Sequence, residues 1–198
     1  NAYQGYFSEI WRGKVVNVVN ADKNYIGISD FEKALDVLSD CDVLIHGGDI
    51  LYHGPRNDLP KDYAPKKVIS MLNEVKNELL CVRGNCDTEV DQMVLDFPVL
   101  ADYSILYIDG VTIFATHGHH FNLKNMPPHK ENDILLHGHT HVPACICENG
   151  MWYINPGSVS IPKEDSPHSY IIFENGVFIW KDLDGTEYKR FSLSTKFD

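Results

Sequence analysis

Apolar and polar positions divide this chain into two patterns. From residue 24 to about residue 90, short apolar runs alternate with stretches of helical period. Tyr25-Ile26-Gly27-Ile28 reads as a strand ending at Ser29-Asp30, and Phe31, Ala34, Leu35 and Leu38 then share one helical face. Val43-Leu44-Ile45 is the next strand. After an irregular Pro-rich stretch at 53–65, Val68, Ile69, Leu72 and Val75 mark a second amphipathic helix, and Leu79 to Val82 a further strand. Strands alternating with helices are the pattern of a parallel sheet covered by helices.

The second half is written differently. Asp109-Gly110, Asn149-Gly150, Asn175-Gly176 and Asp184-Gly185 stand between apolar runs, and such pairs supply the positive φ angles that tight hairpins require. Mostly antiparallel hairpins are therefore expected there. With no repeat or low-complexity linker between the halves, the expected fold is one α/β domain over residues 24–198, a two-sheet sandwich flanked by helices. Residues 1–23 precede it as an N-terminal extension. Tyr3, Tyr6, Phe7, Ile10 and Trp11 have rough helical spacing, and Val15 to Val19 is a strand-like run interrupted by Asn17, but no chemistry attaches to either.

Composition narrows the function. At 198 residues and 43% apolar content, with no apolar run approaching the length of a membrane span, the chain reads as a soluble domain with a sizeable core. A net charge of −11 argues against a stable nucleic-acid complex, because phosphate backbones are gripped by surplus Lys and Arg. An acidic site still takes an anionic substrate if bound cations reverse the local sign. Five cysteines form an odd set without a C-x-x-C pair, so disulfide scaffolding is not expected and a reducing cytoplasm is the expected location. The N-terminus has no basic segment leading into a long apolar core, so no secretory signal is read there.

The candidate chemistry centres on DILLHGHTHVP at 133–143. Ile134 to Leu136 delivers the chain into Gly138-His139-Thr140-His141, where Gly138 is expected to break strand geometry and let both imidazoles face one site. The rest of the chain repeats the arrangement. Asp30 follows IGIS, Asp49 follows VLIHGG, Asn85 follows LLCVRG, and His117 follows TIFAT. Ligands in open α/β sheets bind beyond the carboxyl ends of strands, so these scattered residues can converge. Carboxylate, amide oxygen and imidazole together suit divalent ions such as Mn²⁺, Fe²⁺ or Zn²⁺. Six candidate ligands exceed what one catalytic ion takes, so two ions are expected, about 3.5–4 Å apart, sharing the central Asp49 and clamping a phosphoryl group attacked by a bridging hydroxide.

These residues resemble the calcineurin-like metallophosphoesterases, and within them the YfcE-like phosphodiesterases. The resemblance rests on GGD at 47–49, GNCD at 84–87, THGH at 116–119 and GHTH at 138–141, with HGPRN at 53–57 and NPGSVSIPK at 155–163, and covers roughly residues 24–175. It implies a four-layer αββα sandwich and metal-dependent hydrolysis of small or nucleotide-like phosphodiesters, with two divalent ions, Mn²⁺ first and Zn²⁺, Fe²⁺, Ni²⁺ or Mg²⁺ as substitutes. By position, one ion would take Asp30, Asp49 and His141, and the other Asp49, Asn85, His117 and His139. Asp49, Asn85 and His119 would serve catalysis. Arg56, Asn57 and Cys86 would line the substrate.

Two departures stand out. Family members carry D-x-H-G after the first strand, whereas Asp30 is followed by Phe31-Glu32 and the segment to Asp49 is shorter by roughly a loop. Either that ligand is lost or residues of the loop are missing from the sequence. Cys86 also stands where many relatives have a histidine that protonates the leaving oxygen, and a thiol near its ordinary pKa is a poor acid for that task. Good leaving groups, or another acid such as His119, are expected. Plainer roles compete: His46 and His137 as core groups, His129 and His168 as solvated loop residues, Arg83 as a partner of Asp87, and the backbone alone of Asn155-Pro156-Gly157-Ser158 as a tight turn. The alternatives to a diesterase are a phosphomonoesterase or a non-catalytic scaffold of the same fold that binds a protein. A homo-oligomer is compatible with the sequence.

Overall fold

The computed structural model describes residues 41–51, 64–108, 110–160 and 162–193, together with the backbone of 16–19. Each predicted X-Gly turn closes a hairpin. Asn149 and Asn175 take the left-handed region with φ of 52° and 50°, and Gly150 and Gly176 follow with 82° and 73°, which turns the chain in the sense that suits the twist of the flanking strands.

Eleven strands among the described residues build two sheets. In the first, β1 (Val16–Val19), β2 (Val43–His46) and β3 (Leu79–Cys81) run parallel, and β9 (Ser169–Glu174), β10 (Val177–Asp182) and β11 (Glu187–Ser192) extend it antiparallel in the order β11-β10-β9-β1-β2-β3. The second sheet holds β4 (Tyr103–Ile108), β5 (Val111–Thr116), β6 (Ile134–Leu136), β7 (Ala144–Glu148) and β8 (Met151–Asn155) in the order β4-β5-β6-β8-β7, with β5, β6 and β8 parallel. Ile45, Phe173, Phe178 and Trp180 from the first sheet pack against Ile113, Ile134, Leu136 and Ile154 from the second, so the core is the seam between sheets.

The strand-like run expected at Val15 to Val19 is β1, and it lies between β9 and β2 in the first sheet rather than in an extension before the domain. The Tyr25–Ile28 strand and the Phe31–Leu38 helix fall outside the described residues. The second predicted helix is α1 (Pro65–Glu74). Proline at its first position, where no N–H bond is lost, starts it, and Leu72 is buried with Val68 and Ile69 against Cys81, Leu95 and Phe97. A single turn, α2 (Glu89–Gln92), is capped reciprocally by Thr88 and Asp91.

On the outer face of the second sheet, Phe121 and Leu123 from the loop after β5 pack on Leu135, Met151 and Tyr153. Among the described residues no helix is long and apolar enough to cross a membrane.

Candidate metal centre

β2 and β3 of one sheet and β5 and β6 of the other all deliver their next residues to one rim. β2 leads into Gly47-Gly48-Asp49, β3 into Gly84-Asn85-Cys86-Asp87, β5 into His117, and β6 into the turn that carries His139 and His141. The centre of this group is His117, fully buried. Its Nδ1 stands 2.6 Å from the carbonyl oxygen of Gly47, a bond that crosses from one sheet to the other and puts the ring proton on Nδ1.

Nε2 is then a bare lone pair, and its surroundings are acceptors too. Asn85 Oδ1 lies 3.1 Å away and Asp49 Oδ2 3.6 Å away, with His139 Nδ1 at 3.0 Å. An imidazolium would relieve the crowding, but burial lowers the His117 pKa to about 4, so the ring is neutral at pH 7. Asp49, Asn85, His117 and His139 thus bring acceptor atoms together around one buried point. A cation is the species that satisfies such a set, and carboxylate, amide oxygen and two imidazoles are the donors an intermediate divalent ion takes. The amide belongs to the set. Among the described residues, no three carboxylate, imidazole or thiol groups by themselves gather round one ion-sized position.

The local backbone is bent to make this possible. Asp49, His139 and His141 all adopt left-handed φ, at 57°, 63° and 64°. Non-glycine residues held there cost about 1–3 kcal/mol each and persist only where the surroundings over-determine them. The expected release at Gly138 is not the device used; the left-handed backbone falls on the two histidines themselves. Gly48 and Gly84 face each other where a Cβ on either would collide with the other loop, and Gly48 also has a φ of 94°.

Asp87 provides the clamp. Its carboxylate accepts the N–H groups of Asp49, Ile50 and Gly84, each at 2.7 Å, and so ties the loop after β2 to the loop after β3. Burial pushes its carboxyl up to about 6, opposed by those N–H bonds and reinforced by the Asp49 charge. Cys86 N–H donates to Asp49 Oδ1 at 2.6 Å, while the Asn85 amide donates to Cys86 Sγ at 3.2 Å and so turns its Oδ1 toward His117. On the other sheet, the buried Asn155 amide donates to the carbonyl of Gly138 at 2.8 Å and to Thr140 Oγ1 at 3.0 Å, fixing the turn between the two histidines.

Residues 27–176 match the model of the calcineurin-like phosphoesterase superfamily domain. The chain belongs to this superfamily. Phosphodiesterase YfcE of Escherichia coli (strain K12) is 49% identical over 130 residues, 66% of this chain and 71% of that protein. The probable metallophosphoesterase YsnB of Bacillus subtilis is 31% identical over 98 residues, 46% of this chain and 53% of that protein. The solved structure of YfcE, a phosphoesterase from E. coli, matches with a TM-score of 0.83 at 39% identity, over 90% of this chain and 98% of that one. Vacuolar protein sorting 29 from Cryptosporidium parvum shares the fold, with a TM-score of 0.58 at 20% identity over 92% and 100% of the two chains.

In this calcineurin-like phosphoesterase, Asp49, Asn85, His117 and His139 are brought together, and His141 lies buried in the same turn. His119 is half-buried with its ring 5.2 Å from that of His117, and burial lowers its pKa. Asp30, Arg56 and Asn57 lie outside the described residues. Arg83 approaches Glu89 at 3.8 Å, while the carboxylate of Asp87, expected as its partner, is taken up by backbone N–H groups. Asn155 acts through its side chain as well as its turn. His129 and His168 are bonded too: the ring nitrogens of His129 meet the carbonyls of Pro127 and Asn149 at 2.8 and 3.0 Å, and His168 Nδ1 meets that of Val159 at 2.7 Å. Asp87 and Asn155 were missed as site residues. Their only signal was membership of the GNCD and NPGS motifs.

Asp87→Asn keeps the shape but exchanges an acceptor oxygen for a donor. It is expected to weaken metal affinity about 10–100-fold with little change in the circular dichroism spectrum, measured by isothermal titration with Mn²⁺. The titrating groups also set how the metal-free protein responds to acid. His46 and His117 are held near pKa 4, and His137 near 3, all chiefly by burial. Unfolded, each takes a proton below about 6.5. Their stability contribution is therefore present above that value and lost as pH falls. Asp87, raised to about 6, works the other way, its contribution lost as pH rises from about 4 to 6. Three protons against one leave the unfolded state binding two more, so stability should rise by roughly 2–3 kcal/mol per pH unit between about 4.5 and 6. Urea unfolding in chelator across that range measures it.

Proposed function

We propose that this chain is a metal-dependent phosphodiesterase that hydrolyses small or nucleotide-like phosphodiesters at a two-ion centre. The observation that carries this reading is the crowd of acceptors around His117 Nε2, in a chain 49% identical over 130 residues to a protein named as a phosphodiesterase. Asp49, Asn85, His117 and His139 would hold one ion. Asp49 and His141, with a carboxylate from the first strand, would hold the other. When bound, divalent ions neutralise charge on a phosphoryl group and bring the pKa of water near neutrality, and Mn²⁺ suits this mixed donor set.

The chain's own groups prepare that chemistry. The Gly47 carbonyl keeps the His117 proton away from the ion side. The Cys86 N–H orients the Asp49 carboxylate, and the Cys86 thiol orients the Asn85 amide. His119, whose pKa burial lowers and whose ring lies 5.2 Å from that of His117, would donate a ring N–H to a substrate oxygen. Arg56 and Asn57 are the proposed contacts to the substrate phosphate. None of the five cysteines is disulfide-bonded, which suits a reducing compartment such as the cytoplasm.

Strand register bears on the missing ligand. β1 and β2 pair in parallel with Val19 opposite His46. Asp49 stands three residues beyond His46, and Asp22 stands three beyond Val19, whereas Asp30 stands eleven beyond. Asp22 is thus the better-spaced partner to Asp49, and Asn24 would then occupy the place of the family histidine. The absent histidine is also what favours the scaffold reading.

Hydrolysis of bis-p-nitrophenyl phosphate separates these readings. Turnover should depend on Mn²⁺, vanish with chelator, and exceed that of p-nitrophenyl phosphate; no metal-dependent turnover of either ester would leave the scaffold. Metal content of Asp22→Asn and Asp30→Asn then assigns the first strand, with the loss of one ion per chain expected in Asp22→Asn alone.

A further inference from the structure

Each sheet leaves strands at its edges, and an open edge invites pairing unless it is short or charged. The first sheet ends in β3, three residues long, and β11, which carries Glu187, Lys189 and Arg190. In the second sheet β7 ends in Glu148. Among the described residues the remaining edge, β4, reads Tyr-Ser-Ile-Leu-Tyr-Ile, six residues without a charge. Its outward side chains are Tyr103, Ile105 and Tyr107, exposed by 48%, 62% and 71%, while Leu106 and Ile108 point into the core.

We propose that β4 pairs with β4 of a second copy of this chain, antiparallel and centred on Ile105, so that the two five-stranded sheets become one continuous sheet. The stripe itself selects that partner. Tyr-x-Ile-x-Tyr reads the same in both directions, so a two-fold axis at Ile105 sets Ile105 against Ile105 and Tyr103 against Tyr107 on one face, a self-complementary isologous contact.

Backbone geometry agrees. Only two residues join β4 to β5, and Ile108 pairs with Val111, so the hydrogen-bonded pairs of that hairpin fall on 108, 106 and 104. The N–H and C=O groups of 103, 105 and 107 therefore face the open edge, and these are the residues that an axis at Ile105 brings opposite one another. Charge fixes the register. Two copies each carrying −11 meet here along an uncharged strip, and Asp102 then lies opposite Ile108. Shifting the axis to between Ile105 and Leu106 would oppose Asp102 to Asp109. The pairing does not depend on the chemistry of the metal centre.

Sedimentation equilibrium of the full chain over a concentration series tests it. The wild type is expected to reach at least twice the one-chain mass, and Ile105→Lys to halve whatever mass the wild type shows, with an unchanged circular dichroism spectrum. Tyr107→Lys should do the same if Ile105→Lys folds poorly, whereas Ile146→Lys on the β7 edge should leave the mass alone. A wild type that stays at one-chain mass overturns the proposal, as does a folded Ile105→Lys or Tyr107→Lys that keeps the wild-type mass.

Discussion

The hydrogen bond from His117 Nδ1 to the Gly47 carbonyl joins the two sheets at their shared rim and sets the chemistry there. It crosses 70 positions of sequence and commits the ring proton, so Nε2 faces Asp49, Asn85 and His139 as a lone pair. Without that commitment the ring could donate to Asn85 Oδ1, and the group would be an ordinary buried polar network. With it, acceptor atoms face one another at the rim, and burial keeps His117 from supplying positive charge itself.

Holding such a group together requires scaffolding that contributes no ligand. Asp87 takes three backbone N–H groups from two loops, and Asn155 takes both sides of the histidine turn. Between them they hold Asp49, His139 and His141 in left-handed backbone that these residues would leave if unconstrained. The glycine pair at 48 and 84 lets the clamped loops touch. Removal of the clamp is thus a loss of geometry before it is a loss of charge.

Much of this was legible beforehand. Residues just past apolar runs announce strand ends, and a parallel register gathers strand ends at one rim, so Asp49, Asn85, His117 and the His139/His141 turn could be named from spacing. Asn-Gly and Asp-Gly announced the hairpins because only a few residue types accept those φ angles cheaply. What stayed hidden was of longer range. Asp87 bonds to N–H groups 37 and 38 residues away, and no periodicity records such a partner. Val15 to Val19 reads as strand-like but, with Asn17 breaking its apolar run, gives no sign of a central place in the sheet, yet that residue sits between Leu44 and Ile172, paired on both sides. Pairing in a central strand satisfies the backbone whatever the side chain, so pattern alone understated it.

The central claim is that the lone pairs around His117 Nε2 exist to surround a cation. Anomalous diffraction from crystals soaked in Mn²⁺ puts it to the test. A peak within coordinating distance of Asp49, Asn85, His117 and His139 together is the predicted result. Ordered Mn²⁺ elsewhere on the molecule with none among these four side chains would contradict it.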